Sequence, residues 1–217
     1  MAEESIDYVK VVREGGGCGD GYSCKCSDKK ETPSSTTWKV NKDNKSKKWD
    51  EYYFNIATQV ASNSECLSRN IGAVLVKDKT IIGTGYNGPP RGVPHCNERW
   101  KLDDMFKEVA VRTEDLSLID SKCPRQLLGF KSGEGLEWCA ATHAEVNCII
   151  NSARLGISTK DTLMYLTCGI PCHNCMKVII NSGIKELILT NLSYYDKGAE
   201  FLIKNCDINV RVYENLK

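Results

Sequence analysis

Gly169–Leu187 reads GIPCHNCMKVIINSGIKEL. Cys172 and Cys175 stand behind Pro171 and open an apolar pattern of helical period. Pro171 suits the mouth of a helix, where its missing N–H leaves nothing unsatisfied. The two cysteines then share one face of the first turn. Free N–H groups and the positive end of the helix dipole favour thiolates there. TLMYLTC, with a strand pattern, precedes this helix, and KELILTN follows it. Strand, helix and strand in that order form the unit of a parallel sheet with helices on its faces. Simple packing of two cysteines, a redox pair and a metal site all remain open on these residues alone. A thioredoxin-like redox pair, however, sits near the first βα unit of its fold, whereas this pair follows several strands.

The neighbouring stretches extend the same pattern. HAEVNCIINSARLG predicts a helix ending at Gly156, and IGAVLVKDKTIIGTGYNG predicts a hairpin, two β-rich runs around a charged turn. Tyr53, Ile56, Ala57, Val60 and Ala61 recur at helical spacing, which predicts a first helix over 49–62. AEFLIKN and INVRVYE close the chain as helix and strand. A polar insertion spans about 97–138, with a helix expected near LDDMFKEVAV. Residues 1–47 differ: rich in Gly, Ser, Thr and Lys, they read as a loop-rich extension in which DYVKVV is a short strand. The expectation is that extension followed by an α/β domain of three layers over 48–217.

Composition narrows the function. The 217 residues carry 29 basic and 28 acidic side chains, a net charge of +1, which argues against electrostatic binding of nucleic acid across the surface. No apolar run approaches the roughly 20 residues of a membrane span. MAEESIDYVK offers no signal-peptide core, so a cytoplasmic chain with reduced thiols is expected. Its 12 cysteines then favour metal ligation over a disulfide framework.

THAEVN decides between the readings of Cys172 and Cys175. His143 and Glu145 open the preceding helix, and successive helix starts in an α/β sheet lie beside the carboxyl edge of the strands, where ligands bind. One histidine and two cysteines leave a fourth zinc position open, as catalytic sites do. Glu145 need not join the metal and is placed to move protons. H-x-E followed by P-C-x-x-C is the signature of the zinc deaminases.

GAVLVKDKTIIGTGYNGPPRG, HAEVNCI and MYLTCGIPCHNCMKVIINSGIKELIL together resemble the deoxycytidylate (dCMP) deaminases of the cytidine deaminase superfamily, from Trp49 to Val212. The resemblance implies an α/β/α sandwich around a five-stranded mixed sheet, a homo-oligomer (a hexamer), and hydrolysis of dCMP to dUMP and ammonia for thymidylate synthesis. It implies catalytic zinc on His143, Cys172 and Cys175, and Glu145 as the group that carries the water proton to ring N3 and helps the amino group leave. Substrate contacts fall on Asn87, Ser68, Arg69, Asn70 and Tyr195. Activation by dCTP with magnesium, and inhibition by dTTP, would use Tyr86, Gly88, Asn147, Asn151 and Arg154. A second, closed zinc is implied at Cys66, Cys96, Cys123 and Cys139, with His95 as an adjacent candidate.

Each assignment has a plainer counterpart. Asn87 also reads as a turn asparagine before Gly88, Tyr195 as a surface tyrosine, and Arg154 as a charge at a helix end. Cys18, Cys24 and Cys26 read as free thiols on a loop, and Cys148, Cys168 and Cys206 as small buried or site-flanking residues. Lys39, Lys42, Lys45, Lys47 and Lys48 read as a solvated face. The rival functions are deamination of another cytidine nucleotide (dCTP or methylated dCMP), deamination of a base in tRNA, or a catalytically silent, zinc-stabilised binding subunit. Near-neutral charge disfavours the tRNA reading, and Glu145 disfavours the silent one, since a structural zinc needs no proton carrier.

Overall fold

The computed structural model describes residues 44–104, 106–108, 117–131 and 134–213. The expected DYVKVV strand, the cysteines at 18, 24 and 26, and part of the helix expected near LDDMFKEVAV lie outside these residues.

Helix α1, Asn44–Ala61, begins before the apolar period does, because its first turn is polar and leaves no mark in a search for that period. Strands β1 (Gly72–Lys77) and β2 (Thr80–Tyr86) form the expected hairpin. Its central residues, Asp78 and Lys79, both take left-handed φ, 48° and 63°, the turn whose twist matches the flanking strands. Lys79 is held there from α1: its carbonyl accepts from the Tyr53 hydroxyl at 2.9 Å, and its ammonium lies 5.7 Å from the centre of the Trp49 ring. The insertion contributes α2 (Cys96–Leu102), α3 (Ser117–Ser121), α4 (Pro124–Leu127) and a 3₁₀ turn, Leu136–Trp138. Next come α5 (Ala144–Arg154), β3 (Leu163–Leu166), α6 (His173–Asn181), β4 (Glu186–Leu189), α7 (Lys197–Lys204) and β5 (Asn209–Val212).

The sheet runs β2-β1-β3-β4-β5, with β1 antiparallel to both neighbours and β3, β4 and β5 mutually parallel. It is the five-stranded mixed sheet the resemblance implied. Side chains alternate across it as the pleat requires. Val74, Val76, Tyr165 and Ile188 meet Tyr53, Phe54 and Ala57 of α1 on one face. Ala73, Leu75, Met164, Leu166, Leu187 and Leu189 meet α5, α6 and α7 on the other. Three layers result.

Two glycines let helices approach the sheet. A Cβ on Gly72 would stand 1.9 Å from the Ala57 carbonyl oxygen, and one on Gly85 would stand 2.3 Å from the Cys148 nitrogen. Gly85 therefore fixes how closely α5 lies on β2, and with it the position of the helix start that carries His143.

A partly buried ionic knot ties α1 to β5, the edge strand opposite β2. Arg211 on β5 pairs through Nη1 and Nη2 with Asp50 of α1, Nη2 at 2.7 Å, and through Nε with Glu186 at 2.7 Å. The Tyr165 hydroxyl donates to Asp50 at 2.8 Å. Among the described residues no helix is long and apolar enough to cross a membrane.

Candidate metal and active site

His143 and Cys172 are the N-cap residues of α5 and α6, and Cys175 lies in the first turn of α6. Neither side chain makes a capping hydrogen bond to its helix, which leaves the imidazole and the thiol facing each other. His143 Nδ1 lies 3.5 Å from Cys172 Sγ and 3.2 Å from Cys175 Sγ. One ligand atom from each of the three falls within 4.8 Å of the others. Both cysteines are buried.

These groups stabilise negative sulfur. A bond from the Cys175 S–H and the facing His143 imidazole outweigh burial and bring the Cys172 thiol down to about 4. Cys175, the donor in that bond, keeps its proton, and the bond and burial together push its thiol up. The Cys172 sulfur in turn holds His143 above the ordinary imidazole value. Two soft sulfurs and one imidazole nitrogen converging at this spacing suit zinc.

Glu145, in the first turn of α5, is 3 % exposed, and burial raises its carboxyl above the usual carboxylate range. Its Oε2 has no hydrogen-bond partner. A buried carboxylate oxygen left unpaired is the position a water or a substrate proton would fill. His143, Glu145 and Cys172 line a cavity of about 440 Å³, the size of a small-molecule site.

A match to the family model for the cytidine and deoxycytidylate deaminase zinc-binding region covers residues 47–191. The chain belongs to this deaminase family. It is 30 % identical over 165 residues to a deoxycytidylate deaminase of Schizosaccharomyces pombe, a match covering 76 % of this chain and 44 % of the yeast protein. The Mycobacterium phage D29 deoxycytidylate deaminase is 34 % identical over 145 residues, covering 64 % of this chain and 92 % of the phage protein. The chain thus spans less than half of the yeast relative and nearly all of the phage one. The fold is shared with the cyanophage S-TIM5 dCMP deaminase in complex with dCMP and dUMP, at a TM-score of 0.53 and 21 % identity, over 79 % of this chain and 99 % of that one.

Of the residues expected at the substrate, Ser68, Arg69, Asn87 and Tyr195 line the cavity beside His143, whereas Asn70 is exposed and is not among the lining residues. Arg69 stands over the Tyr195 ring, 5.6 Å from its centre. Asn87 is buried and does more than line the wall. Its Oδ1 accepts from the Ile71 amide at 2.7 Å and from Ser64 Oγ at 3.0 Å, while its Nδ2 donates to the Arg69 carbonyl at 2.8 Å. It clamps the loop that carries Cys66, Ser68 and Arg69.

The four cysteines expected to bind a second zinc share a neighbourhood. Burial, then the charges of Cys123, Cys139 and Cys66, push the Cys96 thiol up to about 11. Among the described residues, however, only His143, Cys172 and Cys175 are brought within the mutual spacing of a metal-ligand set. His95 Nδ1 instead meets a Glu65 carboxylate oxygen at 3.2 Å.

Tyr86, Gly88, Asn147, Asn151 and Arg154 gather where α5 borders β2, the edge strand. Gly88 exchanges both backbone bonds with Thr142. Asn147 Nδ2 donates to the Tyr86 carbonyl at 2.8 Å, and Asn151 Nδ2 to the Thr84 carbonyl at 2.9 Å. The two amides occupy carbonyls that an edge strand otherwise leaves open. Arg91 Nη2 donates to Asn151 Oδ1 at 3.1 Å, and Arg154 is exposed. Sequence reasoning missed Arg125, which also lines the cavity. Its sole signal was its place beside Cys123 in CPRQLL.

Proposed function

We propose that this chain hydrolyses dCMP to dUMP and ammonia. The observation that carries the reading is the partnerless, buried Glu145 Oε2 beside the His143–Cys172–Cys175 cluster in one cavity. Zinc at that cluster would supply Lewis acidity, lowering the pKa of a water enough for attack at C4 near neutral pH. Glu145 takes the proton from that water, delivers it to ring N3 and assists loss of the amino group. Burial favours its protonated form between the two transfers. Asn87 keeps the wall of the base site in place through the loop it clamps, while Ser68, Arg69 and Tyr195 face the sugar and phosphate. Relatives named deoxycytidylate deaminase, and a neighbour whose crystal structure holds dCMP and dUMP, support this substrate over dCTP or methylated dCMP.

Further parts of the reading rest on the same family. A second zinc would sit among Cys66, Cys96, Cys123 and Cys139, drawing the gathered thiols into a closed shell that leaves no reactive position. dCTP with magnesium would activate, and dTTP inhibit, through the surface of Tyr86, Gly88, Asn147, Asn151 and Arg154, with the two asparagines positioning the edge strand beneath the nucleotide. The assembly would be a homo-hexamer in the cytoplasm. The test is ammonia release from a panel of cytidine nucleotides, with and without dCTP, on protein whose zinc has been counted. dCMP should be the best substrate, with two zinc ions per chain. Faster release from dCTP would reassign the substrate. No release from any nucleotide by the zinc-loaded protein would leave a silent binding subunit.

A further inference from the structure

Among the described residues, two buried side-chain polar atoms lack a hydrogen-bond partner: Glu145 Oε2 and Arg125 Nε. Both residues line the same cavity. The proton chemistry accounts for the first. Nothing in that chemistry uses the second.

Arg125 comes from α4, inside the insertion, a segment of the chain well apart from the Ser68–Arg69 loop. Its Nη1 donates to the Glu134 carbonyl at 2.8 Å, which anchors the guanidinium while leaving most of its donors unspent. Tyr195 lines the same cavity. Arg69 stands over the face of that same tyrosine. Two guanidinium groups therefore line one cavity, one of them over Tyr195. The sole carboxylate among the lining residues is Glu145, at the metal cluster. Zinc bound by two thiolates and an imidazole would be formally neutral, so two guanidinium groups face a single carboxylate among the lining residues. An anion entering there would meet a buried guanidinium nitrogen that has no partner in the protein. A planar guanidinium with spare donors suits a phosphate monoester.

We propose that Arg125, together with Arg69, binds the 5′-phosphate of the substrate, so that the insertion sets the preference for a nucleotide over a nucleoside. This rests on the cytidine-nucleotide reading above, and it adds a residue and a role for the insertion. The four-cysteine neighbourhood borders the same guanidinium, so the segment that gathers those thiols also orients the phosphate ligand.

The test is calorimetric binding of dUMP and of 2′-deoxyuridine to the zinc-loaded full chain, since neither is turned over. Wild type should bind dUMP far more tightly than deoxyuridine. Arg125→Gln should shrink that preference roughly 10- to 100-fold, the scale of a charge-assisted hydrogen bond, and leave the deoxyuridine affinity as it was. Arg125→Lys should retain part of the preference through charge alone. Zinc content and melting temperature, measured on both variants, guard against a disturbed fold, and the lysine variant carries the test if glutamine unfolds the insertion. An unchanged preference in both variants overturns the proposal. So does an equal loss for both ligands, which would make Arg125 a structural residue, or a wild type with no preference at all. The two readings fail separately. Ammonia release from dCMP with an unchanged preference sinks the Arg125 assignment alone, and a lost preference without ammonia release sinks the substrate assignment alone.

Discussion

Glu145→Gln separates metal binding from proton transfer. The amide would keep the shape of the side chain and lose the basic oxygen. Because Oε2 makes no hydrogen bond to the protein, the exchange breaks none there, and because Glu145 is not among the three clustered ligands, zinc should stay. The buried carboxylate is also unfavourable to the fold, as its raised pKa records, so the variant should melt no lower than wild type. Turnover is another matter. One positioned acid or base contributes about 10²–10⁴-fold, and the role proposed for Glu145 covers both the water proton and N3, so the loss should reach roughly 10³–10⁴-fold. That corresponds to about 4–5.5 kcal/mol of barrier. Ammonia release under saturating dCMP, with zinc content measured on the same sample, checks both halves. Activity within tenfold of wild type would refute the proton role. Loss of zinc would show that Glu145 belongs to the metal set after all.

The remaining predictions probe the metal, the edge strand, a cap and the ionic knot. Cys172→Ala should lose the catalytic zinc and its turnover together, read by metal analysis beside an activity assay. Asn151→Ala leaves the Thr84 carbonyl without its amide and should lower stability by about 1 kcal/mol in urea; if activation by dCTP vanished with no change in stability, Asn151 would be an effector ligand and not a strand tie. Asp196 caps α7 by accepting from Ala199 N at 2.7 Å, and amide bonds from His173 and Ala199 overcome burial to hold its carboxyl below the ordinary value. Asp196→Ala should cost about 1 kcal/mol at pH 7. Because the folded pKa is depressed, wild type loses the ionic part of that advantage as pH falls below about 3.9, so melting curves of the two proteins should converge there. Arg211→Met leaves Asp50 buried with the Tyr165 hydroxyl still donating to it but no cation beside it, which should cost about 3–5 kcal/mol by urea unfolding, while replacing Asp50 as well should recover much of the loss.

Much of this molecule was legible in its sequence because its elements announce themselves locally. The apolar periods of 49–62, 143–156 and 172–183 became α1, α5 and α6, and the charged turn between two β-rich runs became the hairpin. His143, Glu145, Cys172 and Cys175 were legible because two short motifs fix them at helix starts. Strand order was not legible from period, since β1 pairs with β3 across a long insertion and no local signal marks that partner. Asn147 and Asn151 suggested a nucleotide surface, yet their amides bond carbonyls on a strand far away in sequence. Arg125 escaped notice for the same reason: it sits on a four-residue helix in a polar stretch, where no period distinguishes one arginine from another.

The cavity divides chemistry from recognition by the kind of element that carries each. The groups assigned to metal and proton sit at the starts of α5 and α6, whose positions are set by close packing at Gly85 and by buried helix faces against the sheet. The groups assigned to the sugar and phosphate sit on irregular segments fastened by single residues. Asn87 clamps the loop of Ser68 and Arg69, while Asn191 holds the Ser193 amide at 2.9 Å and the Ser193 carbonyl accepts from Ile170. A rigid helix start tolerates little change before turnover fails, whereas a fastened loop can shift its ligands without moving the reacting centre. Substitutions at Ser68, Arg69, Arg125 and Tyr195 should therefore act mainly on KM, and those at His143, Glu145, Cys172 and Cys175 on kcat. Asn87 stands between the two classes: its loss frees a loop that also holds Cys66, so its effect should reach recognition and stability together.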